Sequence, residues 1–332
     1  MKLKKEYGIL IAVILALLLY LILRNPDRTH YTLPKIPEVS KTEISKIEIS
    51  KGDTPIVLNK KDNRWYIAPR EFQADTNKVK NMIDTIEKLT LTALVSESKN
   101  YDRYDLTDDK KITVRVWSGE RLEREFEVGK AATSYRHTFV KLAGDDRVYH
   151  ARENFRGTFD QTVDNLRDKT VLSFEKTGIQ EIRITKGAHS MVFAKAQIPV
   201  QVNATPEDDT KTPPSPKTET VWKNAEGKEG DESKLTQLLN TLSDLHCEKY
   251  IDEQKKEEFT NPIYTIQLNG AQGYSLSLFA KKEKDAKSYP AISSGNDYPF
   301  LLRERQGDNI MKGPEELLKK QEKSETQPEK KD

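Results

Sequence analysis

Cysteine is almost absent from this sequence. Cys247 is the single cysteine among 332 residues, which excludes an intrachain disulfide framework and a four-cysteine zinc site. The chain also lacks a large excess of charges of either sign, because 55 basic side chains are balanced by 53 acidic ones and the formal net charge is +2. This balance is not typical of a strongly basic nucleic-acid-binding protein, and we expect no nucleic-acid partner.

Long apolar runs are scarce as well. Apolar residues make up 35% of the chain and charged residues 33%, which excludes a membrane protein with many spans. Once the apolar N-terminal run and the charged C-terminal end are set aside, roughly 290 residues remain, enough for one large domain or two of ordinary size.

The one long apolar run lies near the N-terminus. Residues 8–23 carry no charge, Lys2, Lys4 and Lys5 precede them, and Arg24 follows. At about 1.5 Å per residue the run is at the short end for a bilayer core of about 30 Å. Lysines before the run favour a cytoplasmic N-terminus and place the rest of the chain outside.

We therefore predict a single-pass protein of the bacterial cytoplasmic (inner) membrane with most of its chain in the periplasm. The predicted segments are a basic cytoplasmic stub over residues 1–6, a transmembrane anchor over 7–24 and an extended stalk over 25–42. The alternatives are a cleaved signal peptide and a buried helix. The run is longer than a usual signal-peptide core and lacks a following small-x-small site, which favours the uncleaved anchor.

The body of the chain contains an internal repeat. Asp75 is a predicted N-cap, and the apolar face of the following helix comprises Val79, Met82, Ile83, Ile86 and Leu89. Adding 156 to each number gives a second cap, Asp231, and a second face, Leu235, Leu238, Leu239, Leu242 and Leu245. One offset that preserves a cap and five apolar positions is much more specific than an amphipathic pattern alone.

Strand patterns flank both predicted helices. Ile47–Ile49 resembles Ile182–Ile184, and alternating strands follow each helix. Strands grouped around a single helix predict an α+β fold, in which the transmembrane helix precedes two tandem copies of a mostly antiparallel β-meander plus helix unit. The predicted parts are repeat 1 over 43–155, a connecting helix over 156–172, repeat 2 over 173–313 with a disordered Pro/Thr-rich insertion over 197–220, and a mostly disordered charged tail over 314–332.

Catalytic signatures are weak throughout. His137 and His150 lie on two strands of a predicted hairpin and would meet across it, but a metal site would need a third ligand from Asp145 or Asp146. His246 and Cys247 are sequence neighbours at a helix end and do not face one another. We therefore predict no catalytic residue, no metal ligand and no cofactor.

Aromatic residues are the remaining candidates for a binding surface. Trp117 lies off the apolar alternation of its strand, and Tyr135 lies in a polar stretch, so both are predicted as exposed binding aromatics. Trp65 and Trp222 occupy equivalent positions before the two helices, which favours a packing role.

An ordered set of short motifs resembles the DUF4340 family, whose function is undefined. The set comprises the N-terminal apolar helix, Ile47–Ile49, Trp65 with Pro69, the Asp75-capped helix, Tyr104-Asp105-Leu106, Val128-Gly129-Lys130, Phe139-Val140, Val148-Tyr149, Leu166-Arg167-Asp168-Lys169 and Ile182–Ile184. The family usually has a Tyr-Gly-Leu-like step where this chain has Asp105. The resemblance covers roughly residues 40–310 and implies partnership with an ABC-type export system, like the auxiliary gliding-motility component beside a permease and an ATPase.

The expected function is that of a membrane-anchored accessory protein outside the cytoplasm, an auxiliary subunit of an ABC-type transport complex with permease and ATPase partners. A cell-envelope module that binds glycans or peptides is the alternative, and an envelope hydrolase with an unrecognised site is a third possibility. The first two are binding functions and the third predicts turnover, so an activity assay discriminates between them.

Overall fold

The computed structural model describes residues 5–23, 31–52, 54–199, 218–283 and 285–320. It divides into two compact units, Met1–Leu166 and Arg167–Asp332. Both units combine helices with a large antiparallel sheet, which confirms the predicted mixed fold class with antiparallel sheets. Residues 1–4 of the predicted stub over 1–6 and residues 25–30 of the predicted stalk over 25–42 lie outside the described residues, whereas residues 5 and 6 belong to the first helix.

Helix α1 (Lys5–Leu23) comes first, and its side chains from Tyr7 to Leu21 are all exposed. In the described ranges, no helix reaches the length and hydropathy needed to cross a bilayer. This finding does not support the predicted membrane span over residues 7–24.

The first unit contains a nine-stranded antiparallel sheet. In chain order its strands are β1 (Lys46–Lys51), β2 (Thr54–Lys61), β3 (Arg64–Ile67), β4 (Phe72–Gln73), β5 (Leu91–Ser96), β6 (Ile112–Ser118), β7 (Arg121–Ala131), β8 (His137–Leu142) and β9 (Val148–Arg152). Their order across the sheet is β4-β3-β2-β1-β6-β7-β8-β9-β5. Period-two alternation buries one side chain in two, as Ile47 and Ile49 show in β1.

Helix α2 (Thr76–Glu87) begins where the sequence predicted, because the Asp75 carboxylate accepts hydrogen bonds from the backbone N–H groups of Asn77 and Lys78. Its buried residues are Val79, Met82 and Ile86. The predicted apolar face extended to Leu89, which is buried but lies beyond the end of the helix, just before β5.

The segment before β1 is docked on the first unit, contrary to the stalk predicted over residues 25–42. Val39 and Ile44 are buried, and the Arg124 side chain of β7 donates to the Pro37 carbonyl. Val39 and Ile44 lie 135 positions before Phe174 and Ile179, which are buried in the second unit. The same offset relates the Ile-x-Ile strands, so these residues are the start of the first unit.

Two short helices, α3 (Arg156–Phe159) and α4 (Val163–Leu166), replace the single connecting helix predicted over 156–172. The chain leaves helical geometry at Asp160 (φ −78°, ψ 73°), so the apolar spacing does not continue on one face. Phe155, Phe159 and Leu166 are buried, whereas Val163 is exposed.

The second unit contains an eight-stranded antiparallel sheet and a separate two-stranded one. In chain order its elements are β10 (Thr170–Ser173), β11 (Ile179–Lys186), β12 (His189–Pro199), β13 (Thr218–Asn224), α5 (Glu232–Leu242), β14 (Asp244–His246), β15 (Lys249–Tyr250), β16 (Tyr264–Gly270), β17 (Tyr274–Leu278), β18 (Ser288–Ser293), β19 (Phe300–Arg303) and α6 (Glu304–Ile310). The large sheet has the order β13-β12-β11-β16-β17-β18-β19-β15, and β10 pairs with β14.

The two large sheets share one strand order. The series β3-β2-β1-β6-β7-β8-β9-β5 of the first unit corresponds position by position to the whole large sheet of the second. Helix α5 begins at Asp231, whose carboxylate accepts from the Lys234 backbone N–H. Leu245, predicted on the face of this helix, lies in β14 instead.

Two predicted disordered segments are partly ordered. Residues 197–199 and 218–220 of the predicted insertion belong to β12 and β13, and its residues 200–217 lie outside the described part. The predicted tail begins with a short helical turn, Pro314–Leu317, and Leu317 is only 1% exposed. The tail prediction is therefore wrong for residues 314–320, because Leu317 packs in the core of the second unit. Residues 321–332 lie outside the described part.

Candidate functional site on the outer face of the first sheet

The outer face of the first sheet consists of the side chains that alternate with its buried residues. On β1, β6 and β7 it carries a row of charges that follows the strand register, with Glu48 opposite Arg115 and Arg115 opposite Glu125. Arg115 bonds Glu48 at 3.0 Å and Glu125 at 3.1 Å. Hydrogen bonds to Glu125 and Glu48 raise the pKa of the Arg115 guanidinium.

A second row of charges lies beside the first. Glu127 on β7 bonds Lys111 at 3.0 Å and Lys141 on β8 at 3.1 Å. Lys141 also lies over the ring of Tyr101, 5.4 Å from its centroid. Long side chains that bond one another in this way hold their positions, so the charged rows form an ordered surface.

Four rings continue this face across β8 and β9. Tyr104 and Phe139 have centroids 4.9 Å apart, Phe139 and His150 4.8 Å, and His150 and His137 5.3 Å. We call Tyr104, Phe139, His150 and His137 the ring row. All four residues are half-buried. Burial lowers the pKa of His150, and the neighbouring His137 lowers it further.

The loop that contributes Tyr104 lies against the sheet at Gly129. A Cβ built at Gly129 would collide with the Tyr104 carbonyl oxygen and reach 3.0 Å from the Leu106 side chain. Only glycine allows this close approach, and it lets Leu106 become buried. Asp105 has a left-handed backbone (φ 54°, ψ 42°), a conformation that glycine adopts more readily than a residue with a Cβ.

The two aromatic residues predicted to bind are not brought together. Trp117 is half-buried at the end of β6, where the Lys46 ammonium lies 4.1 Å from its ring centroid. Tyr135 is 75% exposed in the turn between β7 and β8, with φ 55°. The turn after Trp117 and the turn containing Tyr135 lie at opposite ends of β7, so these residues belong to separate surfaces.

The predicted meeting of His137 and His150 occurs, as a stack of rings. Neither turn aspartate is free to join them, because Asp145 bonds Arg147 and Tyr149 and Asp146 bonds Lys99. The Arg147 hydrogen bond lowers the pKa of Asp145 to about 2. Within the described ranges no group of three or more His, Cys, Asp or Glu side chains has the arrangement of a metal site.

Cys247 is buried in the second unit, and burial raises the pKa of its thiol to about 11. A thiol with this pKa is protonated at neutral pH and is a poor nucleophile. The adjacent His246 is exposed, and its Nε2 lies 3.3 Å from the Thr170 hydroxyl. Trp65 and Trp222, for which packing was favoured, are both buried.

Sequence reasoning assigned no role to Arg167, which is 4% exposed in the second unit. Its guanidinium lies 3.5 Å from the ring centroid of Tyr250 and 4.4 Å from that of Tyr298, and it bonds Asp252 at 2.8 Å. A buried arginine held by two rings and a carboxylate fixes the start of the unit. The Arg-Asp-Lys run at 167–169 was the available signal, but its ring partners lie far along the chain.

A family model described as Domain of unknown function (DUF4340) matches residues 65–262. The matched part is more than half of the chain and runs from β3 to the segment before β16. No curated protein and no solved structure matches the chain.

Proposed function

The chain belongs to the DUF4340 family, and on that premise we propose that it is a membrane-attached accessory protein that acts outside the cytoplasm as an auxiliary subunit of an ABC-type transport complex. The observation that carries the proposal is the surface of α1, whose side chains from Tyr7 to Leu21 are exposed and almost entirely apolar. A continuous apolar surface of this kind is normally covered by lipid or by a partner.

The length of α1 favours attachment within a complex. The uncharged run of residues 8–23 would extend about 24 Å, less than the bilayer core of about 30 Å. A short apolar helix is accommodated when flanking lysines reach the headgroups or when the helix associates with others. The transmembrane helices of a permease would provide such neighbours, and the proposed ATPase partner would carry the nucleotide chemistry.

Orientation follows from the flanking charges. Lys2, Lys4 and Lys5 precede the apolar run, and we propose that they keep the N-terminus in the cytoplasm. A reporter enzyme that is active only outside the cytoplasm, fused after residue 40, is then expected to work. An inactive fusion, together with activity at the same position of a second reporter that works only inside the cytoplasm, would overturn this orientation.

We further propose that the two units are tandem copies of one β-meander plus helix unit. Their shared strand order and the paired caps Asp75 and Asp231 support this proposal. The outer faces differ, since the register places Gln267 and Ser275 of the second unit where the first has Arg115 and Glu125. The position of Glu127 is likewise taken by Ser277, whose hydroxyl lies 3.2 Å from that of Thr265. Different faces on one framework would allow contacts with more than one partner.

Co-purification from native membranes tests the proposed accessory role. The full chain carries a C-terminal tag, the membranes are solubilised in mild detergent, and the bound proteins are identified and quantified by mass spectrometry. A permease and an ATPase in fixed ratio are expected, and Leu15→Arg in α1 is expected to release them, whereas the exposed Lys130→Ala serves as the matched control. Recovery of the wild-type protein alone would overturn the proposal.

A cell-envelope module that binds glycans or peptides is the second candidate. The exposed Tyr135, two residues from His137 of the ring row, favours it because exposed rings stack on sugars and apolar side chains. Sedimentation of the full chain with purified peptidoglycan, compared with Tyr135→Ala and Lys130→Ala, tests this candidate. Equal sedimentation of the tyrosine variant would exclude Tyr135 from such binding.

A further inference from the structure

A groove in the second unit lies between the hairpin β12–β13 and helix α5. Its volume is about 920 Å³, and its lining includes Ile198 from β12, Val221 and Trp222 from β13, and polar residues from α5. Trp222 is buried, whereas Ile198 and Val221 are half-buried, so the groove has an apolar floor that solvent reaches.

The hairpin forms this groove because it extends beyond the rest of its sheet. The pairing of β12 with β11 ends at Ala194, but its pairing with β13 continues from Lys195 to Pro199. The corresponding strand of the first unit, β2, continues only from Lys60 to Lys61 beyond its pairing with β1. The extension lies where the sequence predicted an insertion in the second copy.

The rim of the groove is acidic. Glu219 and Glu232 are exposed and bond no other described side chain. The carboxylates of Glu229 and Asp231 also line the groove, but they are occupied by Lys319 and by the Lys234 N–H. Lys319 is the one basic residue that lines this part of the structure, and it is already neutralised by Glu229.

The edge of the sheet adds main-chain groups to this surface. Strand β13 is an outer strand of the eight-stranded sheet. Among the described residues, no strand pairs with Thr218–Val221 on the side away from β12. An extended peptide that adds to such an edge gains main-chain hydrogen bonds, and its alternate side chains enter the adjacent groove.

We propose that this groove binds an extended segment of a partner protein whose groove-facing side chains, at every second position, include both apolar and basic residues. Glu219 and Val221 lie two positions apart on β13, and Ile198 pairs with Glu219, so these three side chains share one face of the hairpin. Apolar side chains of the segment would lie on Val221 and Ile198, and basic ones would face Glu219 and Glu232. Charge complementarity identifies this occupant, because an acidic segment would be repelled by the same rim. The inference uses residues of the second unit alone and holds whether or not α1 enters a membrane.

Fluorescence anisotropy with the full chain in mild detergent tests the inference. The probe is a labelled ten-residue peptide with threonine at every second position and with lysine and valine taking the remaining positions in turn, and the comparison probe replaces lysine with glutamate. The basic peptide is expected to bind at least about tenfold more tightly than the acidic one, and added salt is expected to weaken its binding. Equal binding of both peptides, or no binding of the basic one, would overturn the inference.

Variants locate the binding on the molecule. The double variant Glu219→Gln with Glu232→Gln is expected to weaken binding of the basic peptide at least about threefold. Glu257→Gln with Glu283→Gln removes the same charge from exposed positions outside the groove and is expected to bind as wild type. Val221→Thr keeps the side-chain shape but removes an apolar methyl, and it is expected to weaken binding at unchanged charge. Equal losses in the groove and control double variants would place the binding elsewhere.

Discussion

The imidazole rings of His137 and His150 stack across β8 and β9 with their centroids 5.3 Å apart and their planes inclined by 24°. Phe139 lies against the other side of His150, 4.8 Å from its centroid. A ring enclosed in this way loses hydration when it is charged, so the folded protein favours the neutral form of His150.

The first prediction concerns the pH dependence of folding. Burial and the nearby His137 lower the pKa of His150 in the folded protein, so the unfolded chain binds more protons below its ordinary pKa of about 6.5. The contribution of neutral His150 to the free energy of unfolding is complete above about pH 6.5. It is lost as the pH falls from that value through the lower pKa that His150 has in the folded protein. Urea unfolding of wild type is expected to show a free energy that decreases from pH 7 to pH 5.

His150→Phe preserves an aromatic ring between Phe139 and His137 and removes the titration. Its unfolding free energy is expected to depend less on pH over the same interval, whereas the exposed His189→Gln is the matched control and is expected to follow wild type. Protonation of Asp145 in the folded protein does not contribute to the change measured between pH 7 and pH 5, because the pKa of Asp145 is lowered to about 2. A slope in His150→Phe equal to that of wild type would contradict the prediction.

The second prediction concerns Gly129. Because a Cβ there would collide with the backbone carbonyl of Tyr104, Gly129→Ala is expected to lower the free energy of unfolding by about 1–3 kcal/mol. Gly157→Ala is the matched control, since a Cβ at that helical position meets nothing within 4 Å. Chemical denaturation of both variants measures the difference, and equal stabilities would show that the loop does not press on β7.

The third prediction concerns Asp105. Its left-handed backbone (φ 54°) is unfavourable for a residue with a Cβ, so Asp105→Gly is expected to stabilise the protein by about 0.5–1 kcal/mol. Asp109→Gly is the control, because Asp109 is not among the positions of positive φ, and it is expected to give no gain. The thermal midpoints of both variants provide the measurement, and a lower midpoint in Asp105→Gly would refute this account of the backbone at Asp105.

The fourth prediction concerns Arg124, which is buried and donates to the carbonyl oxygens of Ile86 and Pro37. Arg124→Ala is expected to lower the free energy of unfolding by about 2–4 kcal/mol, since two buried carbonyl groups lose a charged donor. It is also expected to release the segment before β1, so that trypsin cleaves faster after Lys35 and Lys41.

The control for Arg124 is the exposed Arg121, whose guanidinium bonds Glu123 at 2.5 Å near the surface. Arg121→Ala is expected to change the free energy of unfolding by less than about 0.5 kcal/mol. Unchanged cleavage after Lys35 in Arg124→Ala would show that the segment is held by other contacts.

The fifth prediction uses the single cysteine. Burial raises the pKa of the Cys247 thiol to about 11, so its reaction with a disulfide reagent at pH 8 is expected to be far slower in the folded protein than in urea. The released chromophore measures both rates on the same chain. Comparable rates in the two states would mean that the thiol is accessible.

The local parts of the fold could be predicted from the sequence because they depend on neighbouring residues. Asp75 and Asp231 cap helices as predicted, and alternating strands form antiparallel sheets. The helix ends were less accurate, because Leu89 and Leu245 continue the apolar spacing although they lie beyond α2 and α5. The spacing of apolar residues along a sequence does not show where the backbone leaves helical geometry.

The remaining features depend on contacts between distant residues. The prolines at 34 and 37 predicted an extended segment, but the donor that holds Pro37 is Arg124, 87 positions away. The ring row likewise requires Tyr104 to approach Phe139 over Gly129, and no sequence pattern marks that approach. Of the two predicted binding aromatics, Tyr135 is exposed and Trp117 is half-buried under Lys46.

The attachment of Pro37 limits how far the first unit can travel from α1. Fourteen residue steps separate Leu23, the last residue of α1, from Pro37, and a fully extended chain of that length reaches at most about 50 Å. With α1 held in a bilayer, as proposed, Pro37 would remain within this distance of the end of α1. The first unit would then contact only partners whose exposed parts stay close to the lipid surface. Loss of the hydrogen bond from Arg124 to the Pro37 carbonyl would free more residues before β1 and so lengthen the linker, although the sequence of the linker itself would be unchanged.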